Sequence, residues 1–130
     1  MIVDSSAVVA ILLRQPGHEP LLDRLSEAPV AGIGAPTLAE TGIVLAARLG
    51  IAGKGLLGRF LQEGGLTVVG FGVEHWAAAV DAFVRFGKGR HQAGLNFGDC
   101  LTYAVARLAD EPLLCLGDDF AMTDLELVPA

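Results

Sequence analysis

Apolar residues along the chain fall into short blocks that alternate between two kinds. Met1 to Val3, Val30 to Ala35, Leu66 to Val69 and Leu113 to Leu116 are compact apolar runs of strand length. Between them lie longer segments in which apolar residues recur at helical spacing. Ser5 and Ser6 offer hydroxyl caps to a helix over Ala7 to Leu13. A second helix is expected over Glu19 to Glu27, ended before Pro29. Pro36 suits the first turn of a third, which runs through Ala47 with Gly50 as its stop.

A fourth helix is expected over Gly53 to Gln62, although Gly53, Gly55 and Gly58 weaken it. Val73 to Phe86 reads as helix, with Trp76, Phe83 and Phe86 at spacings that predict core packing. A last helix runs from Asn96-Phe97-Gly98-Asp99 to Ala109, before Glu111-Pro112 breaks it. Gly117-Asp118-Asp119 follows the last strand as a turn. Strands alternating with helices predict an α/β fold: a mainly parallel central sheet with helices on both faces.

The 130 residues are the size of one domain, so residues 1–130 are expected to share one core. Apolar content is 52% and charged residues are only 18%. That balance predicts apolar surface covered by a partner. The longest apolar runs, Ala7 to Leu13 and Trp76 to Val80, fall far short of the roughly 20 residues that span a bilayer, so no membrane association is expected. The start Met1-Ile2-Val3-Asp4 has no basic leader, which points to the cytoplasm. Cys100 and Cys115 sit in apolar stretches without ligand spacing, as buried reduced thiols do.

In an open parallel sheet, ligands gather beyond the carboxyl ends of the strands. Four acidic positions map there. Asp4 ends the first strand, Glu40 lies just inside the helix after the second, Asp99 opens the last helix, and Asp118-Asp119 follow the last strand. Glu40 and Asp99 keep apolar company, and carboxylates are rarely buried there without a partner or a metal. Hard oxygen donors without histidine or thiolate favour Mg²⁺ or Mn²⁺ over Zn²⁺. Such a cation also answers the net charge of -6, which otherwise opposes binding to phosphate.

Arg85, Lys88, Arg90 and His91 form a glycine-rich basic segment suited to RNA phosphates. His91 reads as a loop hydrogen-bonder rather than a general acid. His18 and His75 have no ligand-spaced neighbour. Neither Gly32-Ile33-Gly34 nor the glycines from Gly53 to Gly58 make a nucleotide-binding signature.

Several stretches together resemble the VapC toxins, ribonucleases of the PIN-domain type. They are Asp4-Ser5-Ser6-Ala7, the Glu40 helix, Gly87-Lys88-Gly89-Arg90-His91, Leu95-Asn96-Phe97-Gly98-Asp99-Cys100 and Gly117-Asp118-Asp119-Phe120 followed by Thr123-Asp124. The resemblance spans nearly the whole chain. It implies a PIN-like three-layer fold and a Mg²⁺- or Mn²⁺-dependent endoribonuclease that cleaves structured cellular RNA to stop translation. It also implies a cognate VapB-like antitoxin, with a homodimer as the expected assembly. Carried over by position, Asp4, Glu40 and Asp99 are the central acidic residues and Asp119 the fourth, with Asp118 and Asp124 as alternatives because Gly117 replaces an acid found in many PIN domains. Ser6 matches a hydroxyl position near the metal. A receiver-like Mg²⁺-binding signalling module is the alternative, but it calls for an acidic pair where Asp4 stands alone and a lysine where Gly117-Asp118-Asp119 stand.

Overall fold

A computed structural model describes residues 1–129. Four strands form one parallel sheet in the order β3 (Thr67–Val69), β2 (Gly32–Gly34), β1 (Ile2–Val3), β4 (Leu113–Leu114). Six helices accompany them: α1 (Ser5–Leu12), α2 (His18–Glu27), α3 (Ala35–Leu49), α4 (Ile51–Gly64), α5 (Val73–Phe86) and α6 (Phe97–Ala109). Every expected strand and helix is present, the strands two or three residues long.

Side chains of a strand alternate between faces, and here the alternation separates two cores. Ile2 and Leu113 join Ala82, Phe86, Tyr103, Ala104 and Val105 on the side of α5 and α6. Val3, Ile33 and Leu114 join residues from α1, α2, α3 and α4, including Val8, Leu21, Leu45 and Leu57, on the other. The three-layer α/β architecture follows from that division. Gly32 and Gly34, flanking Ile33, leave room for close packing: a Cβ at Gly34 would lie 2.8 Å from Val105 Cγ2. Without it, α6 settles directly on β2.

Three local expectations are corrected. The cap of α1 is Asp4 itself, whose carboxylate accepts from the Ser6 amide at 3.1 Å, and not a serine hydroxyl. The glycines of α4 do not undo that helix, because Gly53 is where it crosses α3. A Cβ there would lie 2.6 Å from the Leu45 carbonyl, so the glycine permits the contact. On α5, Phe86 enters the core, whereas Trp76 and Phe83 are exposed at 59% and 43%. The inner stripe consists of Ala79, Ala82 and Phe86, because small residues let α5 lie close against α6.

Candidate active site

The carboxyl ends of β1, β2 and β4 lie side by side, so the segments leaving them share one edge of the sheet. Asp4 follows β1 directly. It is 4% exposed, and three donors compensate its burial. Oδ2 accepts from the Ser6 amide and from Ser6 Oγ at 2.6 Å, and Oδ1 accepts from Thr102 Oγ1 at 2.9 Å. Ser6 Oγ in turn accepts from the Leu116 amide at 2.9 Å, which ties the loop after β4 to Asp4.

Asp99 sits in the first turn of α6 and closes a reciprocal cap with Asn96. Asn96 Oδ1 accepts from the Asp99 amide at 2.9 Å, and Asp99 Oδ2 accepts from the Asn96 amide at 3.1 Å. Burial pushes the Asp99 carboxyl up to about 6, against the hydrogen bond from Asn96 and with the help of the charges on Asp4, Asp119 and Glu40. All four expected acidic residues are therefore electrostatic neighbours. Glu40 reaches this place from α3 across Gly98, where a Cβ would run into its carboxylate.

Of the three positions open for the fourth acid, Asp119 is the one whose charge bears on Asp99. Asp118 is among the charges that bear on Cys115, whose thiol burial pushes up to about 12 with added repulsion from Asp4, Asp119, Asp99 and Asp118. Asp124 lies elsewhere. Its carboxylate accepts from Tyr103 Oη at 2.6 Å and pairs with Arg85 and Arg107, both at 3.1 Å. This clamp holds the C-terminal segment against α5 and α6 and removes Arg85 from the basic group.

The basic loop leaves α5 at Gly87 and returns at Leu95, where Lys88 N donates to the Leu95 carbonyl and Leu95 N to that of Phe86. It thus opens immediately before the Asn96 cap. Lys88 and Arg90 are exposed, and Arg90 Nε donates to the Val84 carbonyl. His91 Nδ1 accepts from the Ala93 amide, and its ring meets the Phe86 ring edge-on, a loop-fixing role. His18 bonds the Gln15 carbonyl, and His75 accepts from the Gly72 amide at the start of α5.

The donor set suits a hard divalent cation, since it offers carboxylate oxygens only, with Asp99 raised mainly by burial and further by its acidic neighbours. Among the described residues, no three acidic, histidine or cysteine side chains close around a common point.

Sequence reasoning missed Thr37, Thr102, Asn96 and Gly98. Thr102 left a trace, since it is a hydroxyl in an otherwise apolar helix, one turn after Asp99 on the same face.

A parallel sheet with helices on both faces suits the PIN class, and residues 1–125 match the PIN domain family, to which the chain belongs. Within that family it falls among the VapC ribonucleases. It is 50% identical over 127 residues to ribonuclease VapC36 of Mycobacterium tuberculosis, covering 97% of this chain and 91% of that one. Identity with a ribonuclease VapC of Mycolicibacterium smegmatis is 39% over 128 residues, covering 98% and 99%. In fold it is similar to M. tuberculosis VapC20, described as a sarcin-ricin loop cleaving toxin, with a TM-score of 0.79 at 20% identity over 99% of this chain and 98% of that one. It is also similar to a chain of the Rickettsia felis VapBC2 complex bound to promoter DNA, with a TM-score of 0.76 at 14% identity over 98% and 96%. The receiver-like alternative is thereby set aside. No helix among the described residues is long and apolar enough to cross a membrane.

Proposed function

We propose that this protein is a Mg²⁺- or Mn²⁺-dependent endoribonuclease that cleaves structured RNA as the toxin of a toxin–antitoxin pair. The observations that carry the reading are the buried Asp4 at the end of β1, tied to α6 by Thr102, and Glu40 of α3 packed against Gly98 beside Asp99 in the first turn of α6. Asp4 and Asp99 are the residues that would hold the cation, with Asp119 completing the set. Once bound, the cation supplies a water of lowered pKa and positive charge against the scissile phosphate. Glu40, seated over Gly98 and beside the hollow lined by Thr37, Phe97 and Leu101, orients the attacking water and accepts its proton. Lys88 and Arg90, exposed just ahead of the Asn96 cap, contact flanking phosphates and offset the acidic average.

The partner readings rest on apolar surface. Ile43 and Ile51 are 71% and 84% exposed around a hollow of about 470 Å³ between α3 and α4. That hollow suits an apolar helix of a VapB-like antitoxin, whose arginine could pair bidentately with the crowded carboxylates. The exposed face of α5 with Trp76, Val80 and Phe83, continued by Phe97, suits a second copy in a homodimer. The cytoplasm is the compartment in which such a toxin meets its RNA.

The test is cleavage of a structured RNA with Mg²⁺ or Mn²⁺ and with excess EDTA. Activity should require the metal, and Asp4→Asn should lower it by about 10²-fold or more with the fold retained. Equal cleavage in chelator would overturn the mechanism.

A further inference from the structure

Both oxygens of Asp4 are held, but by different parts of the chain. Ser6, two residues away, supplies both donors to Oδ2. The single donor to Oδ1 comes from α6, where Thr102 Oγ1 lies 2.9 Å away. Thr102 Oγ1 is also 2.9 Å from Thr37 Oγ1 on α3. Both threonines are buried, at 2% and 1% exposure, so water does not compete for these bonds.

Proton counting fixes the direction of this chain. A threonine hydroxyl carries one proton, and an ionised carboxylate only accepts. Thr102 must spend its proton on Asp4, so the Thr37–Thr102 bond is a donation from Thr37. The relay runs from Thr37 through Thr102 to Asp4. An ionised carboxylate has about four acceptor sites, and three of Asp4's are occupied. The remaining one is on Oδ1, the atom that Thr102 addresses. The relay also joins the elements that bear the other carboxylates: Thr37 lies three residues before Glu40 and Thr102 three after Asp99, one helical turn in each case.

We propose that Thr102, oriented by Thr37, is a positioning residue that aims the free acceptor site of Asp4 Oδ1 and sets Asp4 relative to Glu40 and Asp99. The proposal rests on the functional reading above. Partners that orient metal-binding carboxylates are worth about 10–100-fold in affinity or activity when removed. Thr37 acts at one remove, by holding the Thr102 hydroxyl toward Asp4.

The experiment uses Thr102→Val, Thr102→Ser and Thr37→Val beside the wild type. Mn²⁺ affinity is read from the free-ion resonance, RNA cleavage is resolved into kcat and KM, and melting checks the fold. Thr102→Val should lose about 10–100-fold in kcat and in Mn²⁺ affinity, with KM for RNA unchanged. Thr102→Ser should stay within about threefold of wild type, because it restores the donor. Thr37→Val should shift in the same direction by a smaller factor. A Thr102→Val protein that melts lower yet keeps wild-type kcat and Mn²⁺ affinity makes the threonine merely structural and overturns the proposal. Should Thr102→Val fail to fold, Thr37→Val decides, and wild-type values for it overturn the relay. A wild type that neither binds Mn²⁺ nor cleaves RNA instead overturns the functional reading, and the relay's role with it.

Discussion

Replacing Asp99 with asparagine removes one charge from the crowded carboxylates while keeping the shape and the α6 cap. The asparagine carbonyl can still accept from the Asn96 amide, as Asp99 Oδ2 does at 3.1 Å. What changes is the cost of an ionised group that is partly buried, the larger cause, and held among Asp4, Asp119 and Glu40. A rise from the ordinary 3.8 to about 6 corresponds to roughly 3 kcal/mol at 1.36 kcal/mol per pKa unit. Asp99 is only half-buried, so solvent screening reduces this to roughly 1–2 kcal/mol. For a domain of this size, that is a gain of roughly 3–8 °C in the metal-free melting temperature of Asp99→Asn.

The pH dependence has a definite sign. A carboxyl raised in the folded state contributes stability that is fully present below its unfolded value and lost as pH rises through its folded value. In the wild type the loss runs from about 3.8 to about 6 and is complete near neutrality. The advantage of the variant should thus be largest at about pH 7.5, shrink through about pH 5.5 and vanish below about pH 4. Melting curves in chelated buffer at these three values test it, and Mg²⁺ should then stabilise the wild type more than the variant. A variant that melts at or below wild type near neutrality, or an advantage that ignores pH, refutes the clustered site.

Three further outcomes are expected. Asp124→Ala should cost roughly 1–3 kcal/mol at neutral pH, because Arg85, Arg107 and the buried Tyr103 lose their shared acceptor. Burial raises the Asp124 carboxyl, but the Tyr103 and Arg85 hydrogen bonds and the two arginine charges outweigh it and hold it below its usual range. The stability lost in the variant is therefore present above the usual carboxylate value and disappears as pH falls, which urea titrations at neutral and acid pH will read. Gly34→Ala should cost roughly 1–3 kcal/mol by urea titration and depress RNA cleavage further than its stability loss explains, since a Cβ 2.8 Å from Val105 Cγ2 forces that close-packed side chain of α6 to shift beside Thr102. Changing both Lys88 and Arg90 to alanine should weaken RNA binding and flatten its salt dependence by about 0.7 per lost contact, with Mn²⁺ affinity unchanged; an unaltered slope would return the loop to a solvated connection.

Much of this protein is legible along the chain because its signals are local. Short apolar runs mark the strands and helical spacing marks the helices, and Val73–Phe86 has the expected bounds, since Gly72 and Gly87 flank an uninterrupted helical pattern. The parallel order puts Asp4, after β1, and Glu40, in the helix after β2, at one edge by topology alone, whereas Asp99 arrives there through the packing of α6. Other features arise only when distant segments meet. Asp118, Asp119 and Asp124 look alike in sequence, and packing separates them: α5 and α6 bring Arg85, Arg107 and Tyr103 to Asp124, while the charge of Asp119 bears on Asp99. Trp76 and Phe83 share the helical spacing of core residues, yet the small side of α5 faces α6, because two helices approach most closely where their side chains are smallest. Thr37 and Thr102 stand 65 residues apart, and nothing along the chain pairs them. Periodicity reports which face of an element is apolar. Which polar atom on that face meets which partner depends on how closely helices seat on the sheet, and that is set by three-dimensional contacts such as Gly34 on Val105.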